Sequence, residues 1–355
     1  MRNTMKSGIS INELAAELNR QNNAKLDLVS PATDIQMFID QPNPRLHVNG
    51  YGQFDINPNA HSQLGQRLGI QATYYKKMLE DAPDLLAYNV NHWLQKQPSD
   101  ERHLVRTLDG KARAIMSDRY RIIDNWDVFQ SILPILMELG SSLKYESCQV
   151  TDSKLYIKAV FPWIQGDVTQ GDTVQAGLMI SNSEIGGGAL TVYPLLYRLV
   201  CLNGMVRPID GMRKYHVGRE LGEGDQRLLF RDDTLAAEDR AMMLKVRDVV
   251  KASMSEAVFN QGLLEMRKAT EVKVEEPIKT VEVLTKRMGY TSEVGISITE
   301  YLLKGGDITQ YGLANAVTRV SQDVADYDMA TQLEMDGHKI LTMTPDRHGV
   351  FQVAN

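Results

Sequence analysis

Cysteine is nearly absent, with Cys148 and Cys201 the two in 355 residues. Two thiols with no Cys-x-x-Cys pair exclude a disulfide framework and point to buried thiols in a reducing compartment. Aromatic residues are scarce at 7%, so Leu, Ile, Val and the 17 Met must do most of the packing. No stretch approaches the roughly 18 apolar residues that a bilayer span requires. The segment from Met1 to Asn23 is polar and has no signal-peptide core, so a cytoplasmic location is expected. Net positive charge is missing as well. The formal charge of −6 argues against a histone-like chain and leaves room only for a local basic stripe.

Three further absences concern chemistry. None of the seven His residues stands at metal-ligand spacing from another on one helix. Gly186-Gly187-Gly188 is not followed by Lys-Ser/Thr and reads as a turn rather than a nucleotide loop. No Gly-x-Ser-x-Gly elbow occurs, and the apolar flanks of Cys201 suit a buried thiol better than a nucleophile. No catalytic residue, metal or cofactor is therefore assigned, and a non-enzymatic role is expected.

What is there reads as an α+β fold: a central, mostly antiparallel sheet with flanking helices, then a mainly helical C-terminal region. Ser10 and Glu13 form a capping box for a helix over 10–20. Residues 21–58, broken by Pro31, Pro42, Pro44 and Pro58, suggest an irregular segment with short strands near 35–39 and 46–49. Two short helices follow over 59–80, interrupted at Gly69, with Asn59 as N-cap, and another spans 84–97. Gln63–Ile70 resembles the start of a helix-turn-helix, but Tyr74 and Tyr75 make a poor recognition helix and favour plain packing. Asp109-Gly110 marks a hairpin over 103–116, because both residues tolerate positive φ. A helix over 126–139 should be kinked by Pro134. Strands are expected at 143–150, 154–161 and 173–183, with a further segment over 189–205. Helices are expected at 235–259, 262–269, 278–288, 294–303 and 309–325, and the tail 338–355 as a strand or loose. The composition shift near residue 232 suggests three regions: 1–58, 59–232 and 233–355.

The most informative pattern is a basic stripe. Segment 196–219 carries Arg198, Arg207, Arg213, Lys214 and Arg219 against Asp210 alone, five cations minus one acid, or +4. It also holds Tyr197, Tyr215 and His216. Upstream, Lys111, Arg113, Arg119 and Arg121 bracket Tyr120. In strand 154–161, alternation sets Leu155, Ile157, Ala159 and Phe161 on one face, and Lys154, Tyr156 and Lys158 on the other. A sheet face of cations and Tyr suits single-stranded nucleic acid, since cations follow phosphates while rings stack on bases. An ordinary half-exposed sheet would also carry charge on its outer face.

Several segments resemble one known family. They are Gln63–Ile70 with Tyr74-Tyr75, Leu104–Arg121 with its Ser-Asp-Arg-Tyr, Tyr197–Gly204 with Leu-Val-Cys-Leu-Asn-Gly, and Tyr311–Thr318. Together they are similar to the phage/plasmid-like proteins grouped as domain of unknown function 932, over most of residues 60–320. The resemblance implies a mobile genetic element as the setting and supplies no catalytic residues. Within these segments, Ser117 and Asp118 can shape a turn that lets Arg119 and Arg121 project, and ion pairing of Asp118 and Asp124 with those arginines is the simplest reading. Asn315 and Thr318 share a helix face and suit a helix–helix contact.

The expectation is a mobile-element protein that binds single-stranded DNA in replication or recombination. Arg113, Arg119, Arg121, Lys154, Lys158, Arg198, Arg207, Arg213 and Lys214 would meet phosphates, and Tyr120, Tyr197 and Tyr215 would stack. Two rivals stand beside it. One is a protein-binding module that counteracts a host defence. The other is an enzyme with a dispersed site around Asp118, Cys201 and His216. Self-association into rings or filaments is compatible with the sequence, no membrane partner is expected, and no host partner can be named from it.

Overall fold

The computed structural model describes residues 8–40, 43–120, 122–138, 142–200, 203–207, 232–345 and 351–352. Cys201, Arg121, Arg213, Lys214, Tyr215 and His216 lie outside the described residues. The fold is α+β, with two larger sheets where one central sheet was expected.

Helix α1 (Ile11–Ala24) starts at the Ser10–Glu13 capping box. Residues 26–56 then form four strands, β1 (Leu26–Pro31), β2 (Ile35–Asp40), β3 (Asn43–Val48) and β4 (Gly52–Ile56), more regular than their prolines suggested. Pro31 and Pro44 sit in strands at or near the first residue or edge, where a missing N–H costs little. Helices α2 (Pro58–Arg67), α3 (Ala72–Asp81) and α4 (Pro83–Lys96) follow. The N-cap of α2 is Asn57, two residues before the expected Asn59, because Pro58 occupies the first helical position.

The hairpin is β5 (Arg102–Leu108) and β6 (Lys111–Ser117), turning on Asp109 and Gly110 at φ 51° and 76°. It completes a six-stranded sheet in the order β1-β5-β6-β4-β3-β2, drawn from both sides of residue 58, with β4 and β6 its parallel pair. Helices α2 to α4 cover one face of this sheet over a core that includes Leu46, Leu64, Leu86, Val90 and Val105. Gly65 lets the ring of Tyr75 pack close, and α2 lies along β6, so the packing reading of residues 63–75 holds in the structure.

Helix α5 (Asn125–Glu138) leads to an antiparallel sheet ordered β11-β10-β9-β8-β7. Its strands are β7 (Lys144–Val150), β8 (Leu155–Asp167), β9 (Thr173–Asn182), β10 (Thr191–Arg198) and β11 (Asn203–Val206). Helices α6 (Asp232–Ser253), α7 (Glu256–Thr270), α8 (Pro277–Met288), α9 (Ser292–Gly305) and α10 (Gln310–Val320) follow. Ser255, Thr291 and Thr309 cap α7, α9 and α10. Gly289 and Gly306 end α8 and α9 at φ 70°. These helices, with α1 and α5, bury one face of the second sheet in the largest core.

The tail departs from expectation. Residues 327–342 form helix α11 (Tyr327–Thr342), capped by Asp326, and among the described residues beyond it β12 (Thr344–Pro345) pairs with β13 (Phe351–Gln352). Leu333 and Ile340 are fully buried, each worth about 1.5–3 kcal/mol of transfer free energy. Gly337 admits Thr318 of α10 so closely that a Cβ there would lie 2.3 Å from its methyl carbon. Thr318 therefore makes the helix–helix contact and also accepts from Asn203 at 2.5 Å, while Asn315 lines a hollow with Tyr301 and Leu302 of α9.

Candidate nucleic-acid interface

Helix α11 decides the fate of the expected binding face. It lies against the second face of the five-stranded sheet, where Tyr327 and Met335 pack on Tyr156, Val160, Tyr193, Leu195 and Tyr197. Seven successive residues from Leu155 to Phe161 are buried, so alternation along β8 separates two interiors rather than an interior and a surface. The solvent-facing sheet of Lys and Tyr is thus corrected. Lys158 Nζ donates to Glu334 Oε2 at 2.6 Å and sits 4.8 Å above the ring of Tyr327. Tyr197 is 2% exposed and presents no ring face to a base.

The cations at the end of the sheet are also held. Arg198 donates to both oxygens of Asp172 at 2.6 and 2.8 Å, and Tyr311 donates to the same carboxylate at 2.8 Å. Arg207 clasps Glu265 at 3.1 and 2.8 Å. Burial alone would raise the Glu265 carboxyl, but hydrogen bonds from His338 and Arg207 carry it down to about 2. Each of these guanidinium groups already has a carboxylate as its counter-charge, and a phosphate would have to displace it.

The remaining expected residues gather at the seam between the two sheets. Arg106 and Ala114 are partners across the hairpin, as are Thr107 and Ala112, so Arg113 is the extra residue of a β-bulge. A bulge re-aims its side chain. Here it sends Arg113 across the seam to Glu184, with Nη2 to Oε2 at 2.5 Å. Glu184 also accepts from the Asn125 backbone N–H at 2.6 Å, and its carbonyl accepts from Arg106 at 2.8 Å. Arg106, fully buried, holds Asp27 and Asp124, and Lys25 closes on Asp124 as well. Asp124 thus pairs with Arg106 and Lys25, not with Arg119.

Next in the chain, Ile185 is buried among Leu104, Ala114 and Met116, and its carbonyl accepts from Gln63 at 2.7 Å. The segment 183–185 is a plug from the second sheet seated in the first. Beyond it, Gly186, Gly187 and Gly188 form an exposed tip. Half-buried Tyr120 lies beside Gly186, where a Cβ would stand 3.9 Å from its Cε2. A Cβ on Gly188 would stand 3.2 Å from Cε of Lys154, so that side chain lies along the tip. Arg119 is exposed one residue before Tyr120, and its N–H donates to Ser117 Oγ, as the turn chemistry predicted.

Beside the seam lies a cleft of about 760 Å³, whose walls include Asn57 and His61 of α2, Lys111 and Arg113 of β6, and Thr151 and Asp152 of the β7–β8 turn. Arg45 on its rim is neutralised between Asp40 and Asp55, and Asp109 pairs with Arg20. Among the described residues, Lys111 has no ion pair, and Nε of Arg113 is buried without a hydrogen-bond partner. His61, its Nδ1 2.9 Å from the Tyr75 hydroxyl, is neutral at physiological pH because burial pushes its ring down to about 4.

The described parts of the segments that carry the resemblance therefore meet in space: 63–75 against 113–120 and 185 at the seam, and Arg198 and Asn203 against Tyr311 and Thr318 beside Asp172. The chain belongs to the DUF932 family. The family, a domain of unknown function, matches residues 113–332, more than half of the chain. No curated protein and no solved structure matches it. The DUF932 region spans the second sheet and its helices and reaches into α11, while the first sheet enters it only with β6 from Arg113 on. Cys148, inside the DUF932 region, is a buried thiol pushed up to about 12 by desolvation, unsuited to act as a thiolate. Among the described residues, no helix is long and apolar enough to cross a membrane.

Residue reasoning missed Glu184, Arg106 and the acids of α11. The available signal for α11 was Asp326 followed by apolar residues at helical spacing, Met329, Leu333 and Ile340, through Gly337. Glu184 had none, because its partners stand 59 to 78 residues away.

Proposed function

We propose that this protein binds single-stranded nucleic acid along the seam between its two sheets, and not on a sheet face. The observation that carries the reading is the wall of a polar cleft where Lys111 stands exposed with no ion pair among the described residues, next to Arg113, whose guanidinium Glu184 holds. Lys154 beside the glycine tip and exposed Arg119 supply further cations, and Tyr120 supplies a ring edge. Glycines at the tip, with φ 76° at Gly186 and 158° at Gly188, leave backbone that a sugar–phosphate chain can approach closely. The resemblance to phage and plasmid proteins supports a role in replication or recombination of a mobile element in the cytoplasm. The net charge of −6 keeps non-specific attraction weak, so binding should depend on this local site.

The test is fluorescence anisotropy with an oligo-dT strand across a salt series. Binding should weaken with salt, and the triple change Lys111→Ala, Arg119→Ala, Lys154→Ala should lower the slope of log K against log salt by about 2. Absence of any retained DNA or RNA at low salt removes the reading.

A further inference from the structure

Helices α5 and α6 enclose a second hollow of about 600 Å³, which borders the seam at Ile122, Ile123 and Asp127. On α5 its wall is Asp127, Ser131, Pro134 and Glu138, at positions i, i+4, i+7 and i+11, one continuous stripe. On α6 the wall is Arg240, Leu244 and Arg247, at i, i+4 and i+7. Ile122, Ile123 and Ile135 supply apolar surface, with Leu244 50% and Ile122 36% exposed. The α5 stripe runs about 16 Å, the length of three helical turns.

The two walls carry opposite charge and do not meet. Among the described residues no ion pair joins Asp127 or Glu138 to Arg240 or Arg247, and Arg247 spends its charge on its exposed neighbour Asp248. Among the described residues Asp127 also makes no ion pair. Partial desolvation and the nearby Asp124 carboxylate raise its carboxyl above the usual range, Lys25 opposes them, and Glu184 adds to the rise. An acidic wall, a basic wall and an apolar bed of this width are complementary to one shape: a helix with an apolar ridge, cations on one flank and anions on the other.

We infer that the α5–α6 groove is a docking site for an amphipathic helix of a partner protein, its cationic flank against Asp127 and Glu138 and its acidic flank against Arg240 and Arg247. The inference does not rest on nucleic-acid binding at the seam.

The probes are three labelled fourteen-residue helical peptides with the same Leu ridge, flanked by Lys on one side and Glu on the other, by Glu on both, or by Lys on both. The full chain should favour the mixed peptide by about tenfold over either single-charge peptide. The double change Asp127→Lys, Glu138→Lys makes both walls basic and should shift the preference to the Glu-flanked peptide. Leu244→Asp, at an exposed position that folding does not need, should abolish binding of all three. Equal affinity for the three peptides, no binding of any, or an unchanged ranking in the double variant overturns the inference. So does a dimer in sedimentation that Leu244→Asp dissolves, because the occupant is then a second copy of this chain. Oligo-dT binding by the Leu244→Asp variant, measured in parallel, reads the seam separately.

Discussion

Glu184 and Arg113 meet at 2.5 Å across the seam of the two sheets, each less than a tenth exposed. One residue comes from the loop after β9, the other from a bulge in β6, so this ion pair joins the two sheets, beside the links of Arg106 and Lys25 to Asp124 and of Gln63 to Ile185. Its geometry is satisfied on the carboxylate side, where Asn125 fills the second oxygen, and incomplete on the guanidinium side, where Nε faces no acceptor. The pair therefore combines a locking role with a residual capacity to donate.

Removing the acid should cost more than removing the base. Glu184→Ala leaves Arg113 buried without its counter-charge and should destabilise the fold by about 3–5 kcal/mol. Arg113→Met removes the cation but leaves Glu184 with the Asn125 N–H, and should cost less. Urea denaturation of both variants checks the order.

The Lys158–Glu334 pair under α11 offers a cleaner case, because both side chains are 4% exposed. Glu334→Ala should cost about 3–5 kcal/mol by stranding the ammonium. The double change Lys158→Met, Glu334→Leu should recover most of that loss. A double variant no more stable than Glu334→Ala would mean that the polar contacts of Thr331 and Tyr327 with Lys158, not its ion pair, hold the helix down.

Stability should fall in mild acid, and two histidines set the window. Burial pushes His61 down to about 4, and burial together with Arg67 does the same to His103. Both bind a proton more readily unfolded, near 6.5, than folded. Their contribution is therefore whole above pH 6.5 and is lost as pH falls towards 4. The change should be about 1–3 kcal/mol for each, and His61→Gln with His103→Gln should flatten the profile between those limits without altering its shape below pH 4. Thermal melts at half-unit pH steps measure it.

Asn91 should protect an edge. Its amide oxygen accepts from the Met37 N–H and its amide nitrogen donates to the Met37 carbonyl, both at 2.7 Å, on the outer edge of β2. Strand edges with free backbone groups recruit other strands. Asn91→Ala should cost about 1–3 kcal/mol and raise the aggregation rate on mild heating, which light scattering would follow. An Asn91→Ala protein that loses stability but not solubility would confine the role to folding.

Much of the local structure was legible because it depends on neighbours in the chain. The Ser10–Glu13 box, the Asp109-Gly110 turn and the Ser117–Arg119 turn each close within three residues. The burial of Cys148 followed from the scarcity of cysteine and the lack of a Cys-x-x-Cys pair. The family resemblance was carried by short stretches such as Ser-Asp-Arg-Tyr, whose turn chemistry is likewise local.

The partners of the cations were not local. Lys158 finds Glu334 176 residues on, Arg198 finds Asp172 across a strand pair, Arg207 finds Glu265, and Arg113 finds Glu184. A strand whose residues alternate between apolar and cationic reads the same whether its second face meets water or a helix with acids in register. The chain by itself determined most of the helices, the hairpin and its turns, and the family. Tertiary packing decided which charges remain open to a ligand, because ion pairing depends on distance in space and α11 returns to the sheet from the far end of the chain.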